Sequence, residues 1–391
     1  DGPVSSLIFN QTDVDAGTPK RRFIVGSTDK AYLYLTMRRG GNINYAIDVT
    51  DRDTPKYLWQ ISTASSGFEE LGQTWSGMTP VFINPKAIGV DSTKKSIPVL
   101  VFGGGYDAEE DLTSESVRLG QSTGNAIFIV DAMTGALLWK ASSTLSADLT
   151  ISQMTNSIAS DITPVDNNGD GNVDILYASD IGGRLWRIDL FSDGTQKGTL
   201  LADLNTGNSV TNNTRFYTTP VVAYQGNENK GRYVITLGSG YRAHPLVTNN
   251  QDRFFVLFDQ ITSTDETSTK NALSTYKTKK TSDLANYSNI ASASDDAKNT
   301  GFYYKLTETG EKSLSDSIVA NNRIYFSTYF PNSTSNTSNL DSCKAVTGNA
   351  RLYEINLGEY NPNKPLEDLS IEVTELKQSG IPAEPKIVFP P

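Results

Sequence analysis

The chain has 391 residues, of which 37% are hydrophobic, enough to bury a core and too many for wholesale disorder. Asp and Glu outnumber Lys and Arg 44 to 34, giving a net charge of −10. With no basic stretch, that balance argues against a nucleic-acid partner and against an anionic membrane surface. One Cys, Cys343, and one His, His244, cannot close an internal disulfide or furnish a zinc site. A Ser-His-Asp or Cys-His mechanism would have to run through His244 alone, and its Tyr-Arg-Ala-His-Pro context reads as a loop or strand end.

Short runs rich in Val, Ile, Tyr, Phe and Thr are separated by Gly, Asn, Asp and Ser along the whole chain. They predict strands at 22–26, 31–37, 44–49, 99–102, 126–130, 175–178, 184–189, 232–237, 253–258, 323–328 and 351–355. No long window carries helical periodicity, and 31 Gly with 16 Pro suit turns, so the expected class is all-β. The apolar clusters at 97–102, 127–130 and 254–258 fall far short of the roughly 18 residues a membrane helix requires. No membrane span is therefore expected in this fragment. The sequence opens at Asp1 in mid-pattern and reads as a fragment or processed chain, with any targeting signal upstream.

The strands recur in a series. Thr-Pro-Val occurs at 79–81, 163–165 and 219–221. A hydrophobic strand and a turn follow each: Gly103-Gly104-Gly105-Tyr106, Asp180-Ile181-Gly182-Gly183 and Gly238-Ser239-Gly240-Tyr241. Next comes a strand ending in Asp, at Asp131, Asp189 and Asp259, with outlying copies ending at Asp48 and Asn356. The unequal spacing fits radially arranged blades with insertions, which predicts a β-propeller. Insertions are expected as long loops at 107–120, 260–300 and 331–342. The domain reading is a propeller over 1–358 and a Pro-rich tail over 359–391, with one strand near 370–373.

One segment carries chemistry: Asp166-Asn167-Asn168-Gly169-Asp170-Gly171-Asn172-Val173-Asp174. Oxygen-bearing side chains stand at positions one, three, five and nine, and glycine at position six permits a tight turn. Calcium takes about six to eight hard oxygen ligands. Asp166, Asn168, Asp170 and Asp174 would offer side-chain oxygens, and Asn172 its backbone carbonyl. Tyr177 stands where an EF-hand has its closing Glu, and a strand is expected where that motif has a helix. Three carboxylates this close repel one another without a cation. The bland alternative is an Asx-rich turn between two strands. Elsewhere, 131–139 reads as a structural strand-turn-strand with Trp139 packing between blades. Glu109, Glu110 and Asp111 read as a solvated loop. The glycines at 103–105 lack the Lys-Ser/Thr of a phosphate loop.

Read together, Asn44–Asp51, Leu71–Ser76, Val101–Asp107, Gly124–Asp131, the 166–174 loop and Tyr177–Asp189 form an ordered series. With Leu237–Arg242 and Arg351–Asn356, it resembles the C-terminal β-propeller of the PilC/PilY family of type IV pilus assembly and tip-associated proteins. The resemblance runs from about residue 20 to about residue 357. It implies a modified, quinoprotein-like seven-bladed β-propeller with long inserted loops and one bound Ca2+. The implied ligands are Asp166, Asn168, Asp170, the Asn172 carbonyl and Asp174. It also implies a non-enzymatic protein of the bacterial surface and pilus tip, outer-membrane-associated and exported through the periplasm. Such a protein supports pilus extension against retraction, twitching motility, surface adhesion and virulence. The implied partners are minor and major pilins, the assembly machinery, and a host-cell or surface ligand. Two other readings share the architecture. A quinoprotein dehydrogenase often uses a vicinal Cys pair, which one Cys cannot supply. An integrin-α-like propeller carries such loops in several consecutive blades, and here there is one. The Arg-Gly-Asp triplet of some relatives is missing.

Overall fold

In the computed structural model, the described residues are 2–21, 26, 28–111, 120–205, 212–227, 230–331, 348–362, 364, 366, 369–377 and 380–388. Ten of the eleven expected strands are present, most longer by a residue or two than the sequence suggests. The strand expected at 22–26 lies outside the described residues but for Gly26. Each sheet is built on an antiparallel meander of four strands, three of them extended by a two-residue parallel strand, and among the described residues there are five such sheets. The resemblance implies seven. The described residues fall into two compact units, one of residues 2–111, 120–201 and 263–276, the other of residues 202–262 and 277–388.

The first unit begins with a sheet of β1 (Val4–Asn10), β2 (Asp29–Leu35), β3 (Asn44–Asp48) and β4 (Lys56–Ile61). A short helix, α1 (Gln11–Asp15), follows β1, with Asn10 as its cap. The second sheet runs β5 (Thr79–Ile83), β6 (Ile97–Gly103), β7 (Ala126–Asp131) and β8 (Leu137–Ser142), and β9 (Leu149–Thr150) joins it in parallel. The third runs β10 (Thr163–Val165), β11 (Ile175–Ser179), β12 (Arg184–Leu190) and β13 (Gln196–Asp203).

The middle strands β6 and β7 are apolar on both faces because each face meets another sheet. Leu100, Phe102, Phe128 and Val130 pack with Phe9, Tyr34 and Trp59 of the first sheet. The alternate residues Val99, Val101, Ile127 and Ile129 pack with Leu176, Trp186 and Ile188 of the third. Period-two alternation thus serves two cores at once, which hides it in the sequence as a continuous apolar run. Trp139 is buried in the second of these cores, as expected of a residue between blades.

In the second unit, β14 (Val221–Asn227), β15 (Lys230–Gly238), β16 (Arg253–Asp259) and β19 (Gly301–Lys305) form an antiparallel sheet. The two-residue strand β18 (Ala285–Asn286) pairs with β19 in parallel. Another short strand, β17 (Lys279–Lys280), pairs in parallel with Ala202 and Asp203, the last two residues of β13, which fall in this second unit. The last sheet runs β20 (Ile318–Ala320), β21 (Arg323–Phe330), β22 (Asn349–Asn356) and β23 (Ser370–Leu376). The strand expected near 370–373 is therefore longer, pairing with β22 over its full length. Phe254, Phe326 and Tyr353 stack nearly parallel in the core of this unit, with centroids 3.7 Å and 4.7 Å apart.

The 260–300 insertion is not the plain loop expected. It carries helices α2 (Glu266–Ser274) and α3 (Asp295–Thr300). Asp265 caps α2 by accepting from the Ser268 N–H at 2.9 Å, and Ser294 caps α3 by accepting from the Ala297 N–H at 3.3 Å. Ser, Thr and Asp are weak in helix interiors and strong at caps, so a segment rich in them conceals short helices. The acidic stretch at 109–111 is not simply solvated either. Glu110 is buried, accepting from Gln121 Nε2 at 2.7 Å, and Asp111 accepts from Tyr106 Oη at 2.9 Å and pairs with Arg39. The insertion at 331–342 lies outside the described residues apart from Pro331.

Candidate functional site

The loop joining β10 to β11 is fixed at its base by three backbone bonds. The Asp174 N–H donates to the Val165 carbonyl at 2.9 Å. The Val173 N–H donates to the Phe82 carbonyl of β5 at 2.9 Å, and the Leu190 N–H of β12 donates to the Asp174 carbonyl at 2.8 Å. Buried Val173 anchors the same end.

Between these anchors the side chains fold the loop onto itself. Asp166 accepts from the Gly169 N–H through Oδ1 at 2.7 Å and from the Gly171 N–H through Oδ2 at 2.8 Å. Asn168 Oδ1 accepts from the Asp170 N–H at 2.9 Å, and Asp170 Oδ1 from the Asn172 N–H at 2.8 Å. Asp174 Oδ2 closes the ring by accepting from the N–H groups of Asn167 at 2.8 Å and Asn168 at 3.2 Å. Gly169 and Gly171 hold φ of 78° and 90°, left-handed values that favour glycine and that the alternating oxygens depend on.

Asp166 and Asp170 are exposed, while Asp174 is half-buried. Burial pushes the Asp174 carboxyl up to about 6, and the charges of Asp170 and Asp166 push the same way, against the N–H groups of Asn167 and Asn168. Buried Asn172 Oδ1 has no donor among the described residues. All five expected residues thus lie on one curved loop, and their carboxylates feel one another. Its oxygens are engaged by the loop's own N–H groups, and among the described residues no three Asp, Glu, His or Cys side chains are already gathered as a metal site.

The sequence reading missed what stands behind the loop. Asn167 Nδ2 donates to the Ser263 carbonyl at 3.0 Å, just before α2. The same helix is held by Glu266 Oε1, accepting from the Ser192 N–H at 2.7 Å, and by Lys270 Nζ, 2.6 Å from Asp193 Oδ2. A cavity of about 40 Å3 lies among Asn167, Asn168, Asp174, Arg187, Asp189 and Glu266. On its wall the buried Arg187 guanidinium donates through Nη2 to Asp189 Oδ1 at 2.6 Å and through Nε to Oδ2 at 2.9 Å. The sequence signal was the Asp at the strand end, read only as a repeat marker.

The other candidates are structural or outside the described residues. His244 sits in a turn with its ring 4.7 Å from Tyr241. Gly105 lies against the Gln73 carbonyl, where a Cβ would come within 2.1 Å, so the glycine turn makes room for backbone. Cys343 is outside the described residues. No helix among the described residues is long and apolar enough to cross a membrane.

Residues 9–219 match the family model described as the PilY1 beta-propeller domain. The chain is 28% identical over 183 residues to the type IV pilus biogenesis factor PilY1 of Pseudomonas aeruginosa PAO1, covering 47% of this chain and 13% of that protein. It is 25% identical over 347 residues to a PilY1 homolog of Xylella fastidiosa, covering 81% of this chain and 22% of that protein. The matched stretches therefore span less than a quarter of the length of these relatives. The crystal structure of the Pseudomonas aeruginosa PilY1 C-terminal domain shares the fold, with a TM-score of 0.60 and 18% identity over 96% of this chain and 78% of that one. With the family match covering more than half of the sequence and taking in the 166–174 loop, the chain belongs to the PilY1 β-propeller family of type IV pilus biogenesis factors.

Proposed function

We propose that this chain is a calcium-binding, non-enzymatic part of a type IV pilus protein, and that the ion orders the face of the blade from which the 166–174 loop projects. The residues that would hold the ion are Asp166, Asn168, Asp170 and Asp174 through side chains and Asn172 through its carbonyl. The observation that carries the reading is the loop itself. Five alternating oxygen-bearing residues curve around two left-handed glycines, and the Asp174 carboxyl is raised by burial, with the charges of Asp170 and Asp166 pushing the same way. The donor set is all oxygen, which suits calcium's irregular coordination better than the strict octahedron of magnesium. When bound, the ion supplies positive charge that offsets three crowded carboxylates. The unpartnered Asn172 Oδ1 points to the same need.

In this reading the protein acts at the bacterial surface and pilus tip, reached through the periplasm and in association with the outer membrane. Its partners are the minor and major pilins and the assembly machinery, with adhesion to a host-cell or other surface as the outward task. The ordered loop favours pilus extension over retraction, and hence twitching motility. The relatives' description as pilus biogenesis factors supports this assignment. Replacing Asp170 with Ala in the full-length protein tests it. The variant is expected to be exported and folded like the wild type and to lose normal twitching. Wild-type motility in that strain would refute the switch.

A further inference from the structure

A groove of about 820 Å3 is lined in part by Asp170, Gly171 and Asn172 of the same loop and is distinct from the small cavity beside Asp174. Its rim carries five cations from three separate segments: Lys20 and Arg21, Lys86, and Lys94 with Lys95. Arg21 is held by a bond to the Pro80 carbonyl at 3.4 Å. All but Lys94 are exposed, and none of the four lysines has an acidic partner among the described residues.

The groove is built rather than incidental. Gly17, at φ 70°, lies so close to Lys94 that a Cβ would stand 2.8 Å from the lysine Cβ. That contact seats the Lys94 stem against the backbone of the groove. Asn84 Oδ1 accepts from the Lys86 N–H at 3.1 Å and Ser92 Oγ from the Lys94 N–H at 3.1 Å, fixing the two loops that carry the lysines. Half-buried Phe82 and buried Pro19 give the groove apolar surface between the charges. Among the described residues that line it, Asp170 is the one carboxylate.

Five positive charges gathered in a chain of net charge −10 make a local field opposite in sign to that of the whole. We propose that this groove binds an extended acidic segment of a separate protein, with its carboxylates on the rim cations and an apolar side chain against Phe82 and Pro19. Four of the five cations are lysines, point charges that suit separate single anionic groups rather than one planar, two-point ligand. An apolar floor within a charged rim is the anatomy of a peptide or protein contact. A polyanion with no apolar groups would leave that floor unused.

Because Asp170 is both a wall of the groove and a member of the loop, the two sites share one charge. Calcium in the loop would remove repulsion between Asp170 and an acidic occupant, so each ligand is expected to strengthen the other. This coupling rests on the calcium reading; the peptide site does not.

The test uses a fluorescein-labelled synthetic peptide of Asp and Glu around a central Leu, followed by anisotropy in chelator and then in calcium. In chelator the wild-type chain is expected to bind it. The double variant Lys86→Glu/Lys95→Glu is expected to bind roughly tenfold more weakly or worse, each exposed pair being worth a fraction of that. The control Lys197→Glu, an exposed site on β13, is expected to bind like the wild type, and thermal melting checks that all three fold alike. No binding, or equal loss in the control, overturns the proposal. So does tight binding of a heparin fragment in place of the peptide, which would assign the groove to an anionic polysaccharide. Calcium is expected to tighten peptide binding about fivefold or more. Unchanged affinity, in protein shown by calorimetry to have bound the ion, overturns the coupling and leaves the peptide site standing.

Discussion

Asp180 shows at one residue how a turn can be made dependent on burial. Its Oδ1 accepts from the N–H groups of Gly182 at 2.9 Å and Arg184 at 3.1 Å, and its Oδ2 from Trp186 Nε1 at 2.9 Å. The side chain has no exposed surface, and burial pushes its carboxyl up to about 6 in spite of these donors. The folded protein therefore holds this proton more tightly than the unfolded chain does. The stabilisation from the proton is complete below about pH 4 and is lost as pH rises through about 6. The expected outcome is that the stability advantage of wild type over Asp180→Asn in urea unfolding is larger at pH 4 than at pH 7. An advantage independent of pH would contradict the assignment. The sequence marked Asp180 only as the start of a glycine-containing turn. Nothing in a single sequence tells that turn acid from a solvated one, because its burial is supplied by residues distant in the chain. Glu110 was hidden in the same way.

At the scale of elements, the double-sided strands explain both what the sequence made plain and what it did not. Each of β6 and β7 was visible as an apolar run, but a run cannot say that its odd and even residues enter different cores. Phe128 belongs to the core shared with the first sheet, and Trp186 to the core shared with the third. Truncating either to Ala is expected to cost about 3–5 kcal/mol. Because the two cores are separate, the double variant is expected to lose the sum within about 0.5 kcal/mol, measured by urea unfolding. A strong departure from additivity would mean that the cores respond as one. The short helices α2 and α3 were illegible for another reason. Their stability comes from caps and from contacts such as Glu266 with Ser192 rather than from an apolar stripe. The basic groove was invisible because its charges come from segments far apart in the chain, and only the fold brings them together.

At the scale of the whole molecule, the strand series and the acidic loop were legible because both are local patterns. The division into two compact units was not, since it depends on which distant strands pack together. The loop lies within the first unit, so calcium is expected to slow backbone hydrogen exchange across residues 163–179. Exchange in the strands around Phe254, Phe326 and Tyr353 is expected to remain unchanged. With a dissociation constant of about 10 μM and calcium at about 1 mM, binding adds about 2.7 kcal/mol of stability, enough to order a loop without being needed for the fold. Equal slowing in both units would mean that the ion acts on the fold as a whole. The most direct test of the central claim is a calorimetric titration of calcium into chelator-stripped protein, beside Asp170→Ala. One site in the wild type and none in the variant is the predicted result. No binding by the wild type, or undiminished binding by Asp170→Ala, would reduce the 166–174 loop to an Asx-rich turn.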